Sequence, residues 1–519
     1  MMTNAGRKQI RVSAPAAAAA LLCFASFLAS CRGAGEEAPV APEPPALARG
    51  SVPNIILVTV ESLRPDRVGV YGGKSRSRPE VRLTPVLDAL ATEAVVYEDA
   101  HSVTSWTLAS HASLFTGLYP SAHQTRRSTD LLDASYLTLA ERLRERGYDT
   151  AGVVSGPYLR KTHNLHQGFV HYHDEIASES MASSHGDTTN PRVFEAMRRT
   201  IDAELDPSRP FLLFAYLWDP HYDYLPPGSY EAMFQGGDCE PINVRNYETT
   251  ETVHPGIRPG QLSYVFSQYE GEIRWTDHHL GEFFDFLRAK GLWDDTVVIV
   301  TADHGEEFFD HGEKGHYHNV YAESVHVPLL VKYARGGAVG RDRRLVSLVD
   351  VVPTALELAG APASGALDGR SLLEKDPGAG RSIFYELLSV WRVTDGKDTE
   401  SGLPSFLSGL ATFWNFVTSG GSPPAVPTRT QSWEGVRRGD HKLVVSAELD
   451  RRELYDVRRD PGEKTDVAAS HPDLVRDLEE EIAAWKAEAR RTASQFRKGG
   501  EAALTPEEAE HLRSLGYLQ

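Results

Sequence analysis

Cysteine is scarce: Cys23, Cys31 and Cys239 are the only three in 519 residues, too few for a disulfide framework or a thiolate zinc site. Basic residues are outnumbered, 54 Lys and Arg against 72 Asp and Glu. The resulting net charge of −18 argues against an electrostatic nucleic-acid footprint, so no nucleic-acid partner is expected. The apolar run Ala16 to Leu28 is shorter than the roughly 20 residues a membrane-spanning helix needs. It follows Arg7, Lys8 and Arg11 and reads instead as a secretory signal. With 41% hydrophobic and 24% charged residues, what is there suits a globular chain of one large and one smaller domain, and excludes a disordered, collagenous or coiled-coil protein.

The signal ends in Leu28-Ala29-Ser30-Cys31, which resembles a bacterial lipoprotein cleavage box. Lipidation of Cys31 would make it the first mature residue and anchor an exported protein at a membrane, on the periplasmic or cell-surface side. Arg32 to Gly50, with Pro39, Pro42, Pro44 and Pro45, reads as an extended tether. The expected organisation is a signal peptide at 1–30, a tether at 31–52, a catalytic domain at 53–380, an insertion at 381–433 and a C-terminal subdomain at 434–519.

Asn54 to Val60 and Thr296 to Thr301 are continuous β-branched runs of the kind buried on both faces of a sheet, and Phe211 to Leu217 and Val327 to Lys332 look similar. Helical patterns separate them at Leu83–Val95, Tyr136–Arg146, Tyr264–Lys290 and Leu348–Ala359. This alternation predicts an α/β fold with a mostly parallel central sheet flanked by helices, whose active site gathers at the carboxyl ends of the strands. A strand at Lys442–Ser446 and a charged helix at Pro472–Ala493 predict a smaller C-terminal α+β subdomain.

Three segments beyond predicted strands carry polar residues that a core would not explain: Glu61-Ser62-Leu63-Arg64, Thr104 to Gly117 with Thr107, Ser110 and His111, and Asp303-His304-Gly305-Glu306-Glu307 running on to His316 and His318. Carboxylates and an imidazole brought together from separate strand ends suit one divalent cation, Mn, Mg, Ca or Zn.

In this order the segments resemble the sulfatase branch of the alkaline-phosphatase superfamily. The likeness continues through Asp219-Pro220-His221, Val325 to Pro328, Asp350 to Thr354, Leu367 to Leu372, Glu453 to Val457 and the tail Leu512 to Leu518. Sulfatases carry Cys or Ser at the head of C/S-x-P-S-R and oxidise it to formylglycine. Here that stretch is Thr107-Leu108-Ala109-Ser110-His111, and a threonine would give a ketone, so no formylglycine is expected. Threonine is the nucleophile of lipoteichoic-acid synthases and phosphoethanolamine transferases, and the synthases' ligands are Glu, Thr, Asp and His. By that resemblance Glu61, Thr107, Asp303 and His304 are the expected metal ligands and Thr107 the nucleophile. His221 is expected to contact the ester and protonate the leaving group. His111, His316, His318 and Arg64 are expected to contact substrate, with Arg64 compensating for the motif Arg that His111 replaces.

The resemblance therefore implies a metal-dependent ester hydrolase or transferase, with phosphodiesters or headgroup phosphoesters preferred over sulfate esters. The alternatives are a sulfatase working without formylglycine and a non-catalytic binder of anionic ligands. The ester substrate is expected to be a small molecule, a lipid headgroup or a glycan. The acidic composition favours a small headgroup, unless a local basic pocket from residues such as Arg126, Arg127 and Arg160 overrides it. Asp277-His278-His279 is read as three helix positions on different faces. Trp391, Trp414 and Trp433 are read as groove or local core.

Overall fold

The computed structural model describes residues 50–180, 189–248, 250–374, 380–392 and 428–514. The expected signal, Cys31, nearly all of the tether, Trp414 and the end of the tail motif lie outside these residues, as does the side chain of Trp391. Among the described residues no helix is long and apolar enough to cross a membrane.

The β-branched runs form the middle of the central sheet. Its strands are β1 (Asn54–Val60), β2 (Val95–His101), β3 (Asp149–Val154), β4 (His171–His173), β5 (Phe211–Leu217) and β6 (Thr296–Ala302). A small hairpin-like pair follows, β7 (Glu307–Phe308) with β8 (Lys314–Gly315), before the sheet resumes with β9 (Leu329–Lys332) and β10 (Gly340–Ser347). The order across the sheet is β10-β2-β9-β6-β1-β5-β3-β4. Every residue of β1, β5 and β6 is buried, which is why these strands show no alternation of apolar and polar positions. β9 runs antiparallel to both β2 and β6, while the other pairings are parallel. It starts two residues later than expected, beyond Pro328, which has no N–H to donate. The sequence pattern missed β10 because its Arg341-Asp342-Arg343-Arg344 run lies at the sheet edge, half in solvent.

The register brings distant residues together. Val60 pairs with Leu217 on one side and with Ala302 on the other, so β1, β5 and β6 end abreast. Glu61, Trp218 and Asp303, each the next residue, emerge side by side at the carboxyl edge.

The C-terminal sheet is antiparallel: β11 (Ser382–Arg392), β12 (Thr428–Arg438), β13 (His441–Ser446) and β14 (Arg451–Asp456). β11 and β12 pair from Ser382–Arg438 to Arg392–Thr428. The two ends of the expected 381–433 insertion are thus strands of the C-terminal subdomain, whose boundary moves forward to Ser382. Trp433 of β12 is buried, its ring 5.6 Å from Tyr321, and belongs to core rather than groove. The helix Pro472–Ala493 lays Val475, Leu478, Ile482 and Trp485 on this sheet and on Val103, Tyr119 and Val349 of the large domain.

A buried ion pair ties the C-terminal sheet to the segment that leads into β9. Lys442 Nζ on β13 lies 2.8 Å from Glu463 and donates to the Val320 carbonyl, and Glu463 accepts the Ala322 amide. Both side chains are almost fully buried, so removing one partner leaves an uncompensated charge. Glu463→Gln is expected to lower the unfolding free energy by about 3–5 kcal/mol, with most of it regained in Lys442→Met/Glu463→Leu. Urea unfolding measures both; a loss below about 1 kcal/mol would show that the joint is held by other contacts.

Candidate active site

The site begins where β1 turns. Ser62 adopts φ +53°, a left-handed conformation that costs a non-glycine residue on the order of 1 kcal/mol. Three hydrogen bonds hold it there: its amide donates to Asp303 Oδ1 (3.2 Å), its hydroxyl to Glu61 Oε1 (2.7 Å), and its carbonyl accepts the Tyr269 hydroxyl (2.6 Å). The fully buried Glu61 carboxylate also accepts the Tyr216 hydroxyl from β5.

At the end of β6, Asp303 Oδ1 accepts the amides of Ser62 and His304, whereas Oδ2 is buried with no hydrogen-bond partner. Gly305 follows because a Cβ there would stand 1.9 Å from the Glu323 carbonyl oxygen. His304 Nδ1 donates to the Gly305 carbonyl (2.9 Å), which leaves the Nε2 lone pair facing inward. Around Nε2 stand Thr107 Oγ1 at 3.1 Å, Glu61 Oε1 at 3.3 Å and Asp303 Oδ2 at 3.5 Å. The four residues named from sequence therefore meet at one point.

Thr107 is the first residue of the helix Thr107–Thr116, and its hydroxyl lies in the positive end of the helix dipole. Ser110 ties this helix to β6 by donating to the Asp303 carbonyl at 2.7 Å. Gly117, at φ +72°, ends it in the left-handed conformation usual for that position. His111 lies one turn on, with no exposure. Its Nδ1 bonds the Thr107 carbonyl and its Nε2 the Thr59 hydroxyl, both at 2.9 Å, and its ring packs on Tyr216. It braces the Thr107 turn from beneath and does not face substrate as expected. Burial holds its pKa down at about 4, which keeps the ring neutral.

Arg64 also departs from expectation. Its guanidinium is spent on Asp66 (2.9 and 3.1 Å), Asp310 (2.7 and 3.3 Å) and the Glu306 carbonyl (2.9 Å). It clamps the turn to the β7 segment and leaves no charge to replace the motif Arg. His316 does stand over the cluster: its ring is 4.4 Å from that of His304, and its Nδ1 lies 3.1 Å from Glu306 Oε1. Burial opposes charge on this ring, but Glu306 together with Glu61 and Glu248 raises its pKa. His318 pairs with Glu248 at 3.2 Å, and despite burial that pair draws it up to about 9. His221 stacks on Trp218 at 3.7 Å and bonds the Tyr222 carbonyl through Nδ1. Burial holds it down at about 3, so it meets the site as a neutral ring with an accepting Nε2, not as the expected proton donor.

Burial and the adjacent Glu61 push Asp303 well above the carboxylate range, while burial holds His304 down at about 3. Two carboxylates, a hydroxyl and an imidazole lone pair, with one buried carboxylate oxygen unpartnered, form a donor set that fits a divalent cation. Glu61, His304 and His316 also place ligand atoms within 4.8 Å of one another. On the helix Pro259–Ala289, Asp277 caps another helix through the Val86 and Leu87 amides, as its separate face implies. His278 and His279, contrary to the reading from spacing, converge on Glu282, which lies four and three residues on.

Sequence reasoning missed Tyr216, Trp218 and Glu306. The first two sit in or beside an apolar strand, where nothing marks one aromatic from another; Glu306 could have been found, since it stands three residues after Asp303 in the same motif.

Residues 53–361 match the sulfatase family. A multifunctional alkaline phosphatase superfamily protein, PehA, of Trinickia caryophylli is 26% identical over 398 residues, 62% of this chain and 76% of that protein. An arylsulfatase of Clostridium perfringens is 26% identical over 402 residues, 66% of this chain and 80% of the other. The phosphonate monoester hydrolase of Agrobacterium radiobacter shares the fold, with a TM-score of 0.63 at 21% identity over 84% of this chain and 96% of that one. The matched span contains β1, the Thr107 helix and β6, the elements that build the cluster, and the chain belongs to the sulfatase family of ester-hydrolysing enzymes.

Proposed function

We propose that the enzyme acts on phosphoesters, diesters or headgroup esters, in preference to sulfate esters, with Thr107 as its nucleophile. The observation that carries this reading is the Thr107 hydroxyl, buried at a helix N-terminus and 3.1 Å from the inward lone pair of His304, at the position where sulfatases carry the formylglycine precursor. Glu61, Thr107, Asp303 and His304 would hold a divalent cation, which supplies positive charge that lowers the hydroxyl pKa and offsets the charge on the ester oxygens. The Thr107 hydroxyl gives its proton to a water molecule, its Oγ1 bonds to phosphorus, and the bond from phosphorus to the leaving oxygen breaks. His316 stands above the cluster with its Nδ1 3.1 Å from Glu306, which favours its charged form, so it is the side chain placed to give the leaving oxygen its proton. Water or an acceptor alcohol then cleaves the phosphothreonine and restores the threonine. His221 and Trp218 shape the wall of the site, and His318 adds a positive charge paired with Glu248. The sulfate-ester reading draws on the arylsulfatase relative. The Leu28–Cys31 box supports export and lipid anchoring, and the reaction would then run outside the cytoplasm.

Assays with p-nitrophenyl phosphate, bis-p-nitrophenyl phosphate, a phosphonate monoester and p-nitrophenyl sulfate, each with Mn, Mg, Ca or Zn, rank the ester classes. Turnover of sulfate alone overturns the phosphoester preference. Thr107→Ala should lose about two orders of magnitude or more in rate on every substrate, and trapped enzyme should carry phosphate on Thr107. Label on another residue would displace Thr107 from this role.

Asp303→Asn should raise the metal-free unfolding midpoint, because it removes a charge that burial and Glu61 disfavour, and should abolish the rise that added cation causes in the wild type. An undiminished cation effect in the variant would remove Asp303 from the ligand set. The His318–Glu248 pair gives a pH test of the charge beside the site. His318 is raised from an unfolded value near 6.5 to about 9, so its contribution is complete below pH 6.5 and is lost as pH rises through 9. His318→Gln should flatten that fall, by up to about 3 kcal/mol. Parallel stability curves for the variant and wild type would show that His318 is uncharged near neutral pH.

A further inference from the structure

Within this acidic chain there is a basic hollow. A cavity of about 530 Å³ lies between the short helix Pro120–His123 and the C-terminal end of the helix Pro472–Ala493, lined by Arg126, Lys486, Arg490 and Lys498 together with Gln124 and Phe496. No acidic side chain lines it. Glu386 and Glu434 lie beside it and neutralise Arg126 (2.7 Å) and Lys486. Arg490 and Lys498 have no carboxylate partner among the described residues. Cations in the last turn of a helix suit its dipole, which accounts for Arg490, and Glu386 accounts for Arg126, but Lys498 comes from another segment and has neither reason. Phe496 adds an aromatic face backed by Tyr136, whose ring stacks on it at 4.4 Å. Ser121, Gln124 and Ser494 add hydroxyl and amide groups at the same wall.

We propose that this cavity is a second binding site, for an anionic saccharide, distinct from the ester-cleaving centre. Cations neutralise sulfate or carboxylate groups, an aromatic face stacks on the apolar side of a sugar ring, and short polar groups meet its hydroxyls. The concavity and the aromatic floor favour a discrete oligosaccharide over a flat bilayer surface. The Thr107 helix advances about 1.5 Å per residue, so its far end, which leads to Ser121, stands roughly 15 Å from the Thr107 hydroxyl. The site would hold a charged chain at a distance while one of its esters, or another molecule, is processed at Thr107. The inference rests on the cavity's own lining and not on the ester preference proposed above.

Fluorescence polarisation with a labelled heparin-derived hexasaccharide tests it on the full chain. Binding should weaken as salt rises, and Arg490→Ser/Lys498→Ser should bind roughly tenfold more weakly, the equivalent of about 1.4 kcal/mol. Both residues are exposed, so the unfolding midpoint should stay at the wild-type value and any turnover of a small aryl ester should be unchanged. Phe496→Ala should weaken the hexasaccharide but not inorganic sulfate. Unchanged affinity in the double variant, equal binding of neutral chitohexaose, or binding only to phosphatidylglycerol vesicles would each overturn the proposal.

Discussion

The active site depends on two carboxylates that water cannot reach and that have too few hydrogen-bond donors of their own. Glu61 is served by Ser62 and Tyr216, but Asp303 has donors for only one of its oxygens. Burial and the neighbouring Glu61 therefore keep Asp303 well above the carboxylate range, while the surrounding imidazoles hold Glu61 at about 2 against its burial. The surrounding structure is arranged to tolerate that deficit. Ser62 is held in a strained turn by three hydrogen bonds, Gly305 lets β6 run tight against the Glu323 carbonyl, and His111 braces the helix that presents Thr107. These features concentrate local cost where charge is to be bound, the usual place for strain in an enzyme.

The departures from the sulfatase pattern fit one another in the folded site. Residue 111 lies among Phe115, Phe214 and Tyr216, with the Asp303 carboxylate 3.8 Å from its Nδ1. Histidine there satisfies both of its nitrogens locally. The positive charge lost at that position is not recovered by Arg64, which faces two aspartates. The imidazoles whose pKa is raised in this region are His316 and His318, each paired with a glutamate.

The C-terminal sheet contributes by holding this region in place. Tyr317, between the two raised histidines, donates its hydroxyl to the Leu388 carbonyl of β11, and its amide bonds the Ser105 carbonyl just before Thr107. The buried Lys442–Glu463 pair fixes the adjoining 320–322 segment. A subdomain that, among the described residues, adds none to the cluster around His304 thereby ties down the loop beside it.

The residue runs themselves determined that β1, β5 and β6 would be strands buried on both faces, since continuous apolar β-branched segments have no other stable setting. They also determined that the polar residues just past those strands would be exceptional, and that Thr107 replaces an oxidisable residue. Which of these polar groups share one point was decided by the tertiary structure, because pairing of Val60 with Ala302 is a contact across more than two hundred residues. It alone separated His316 from Arg64, and His304 from His111, residue types that look equally fit for the site in a list. A histidine's role depends on which nitrogen is already hydrogen-bonded and on the charges behind it, and both are properties of packing that chain order does not encode.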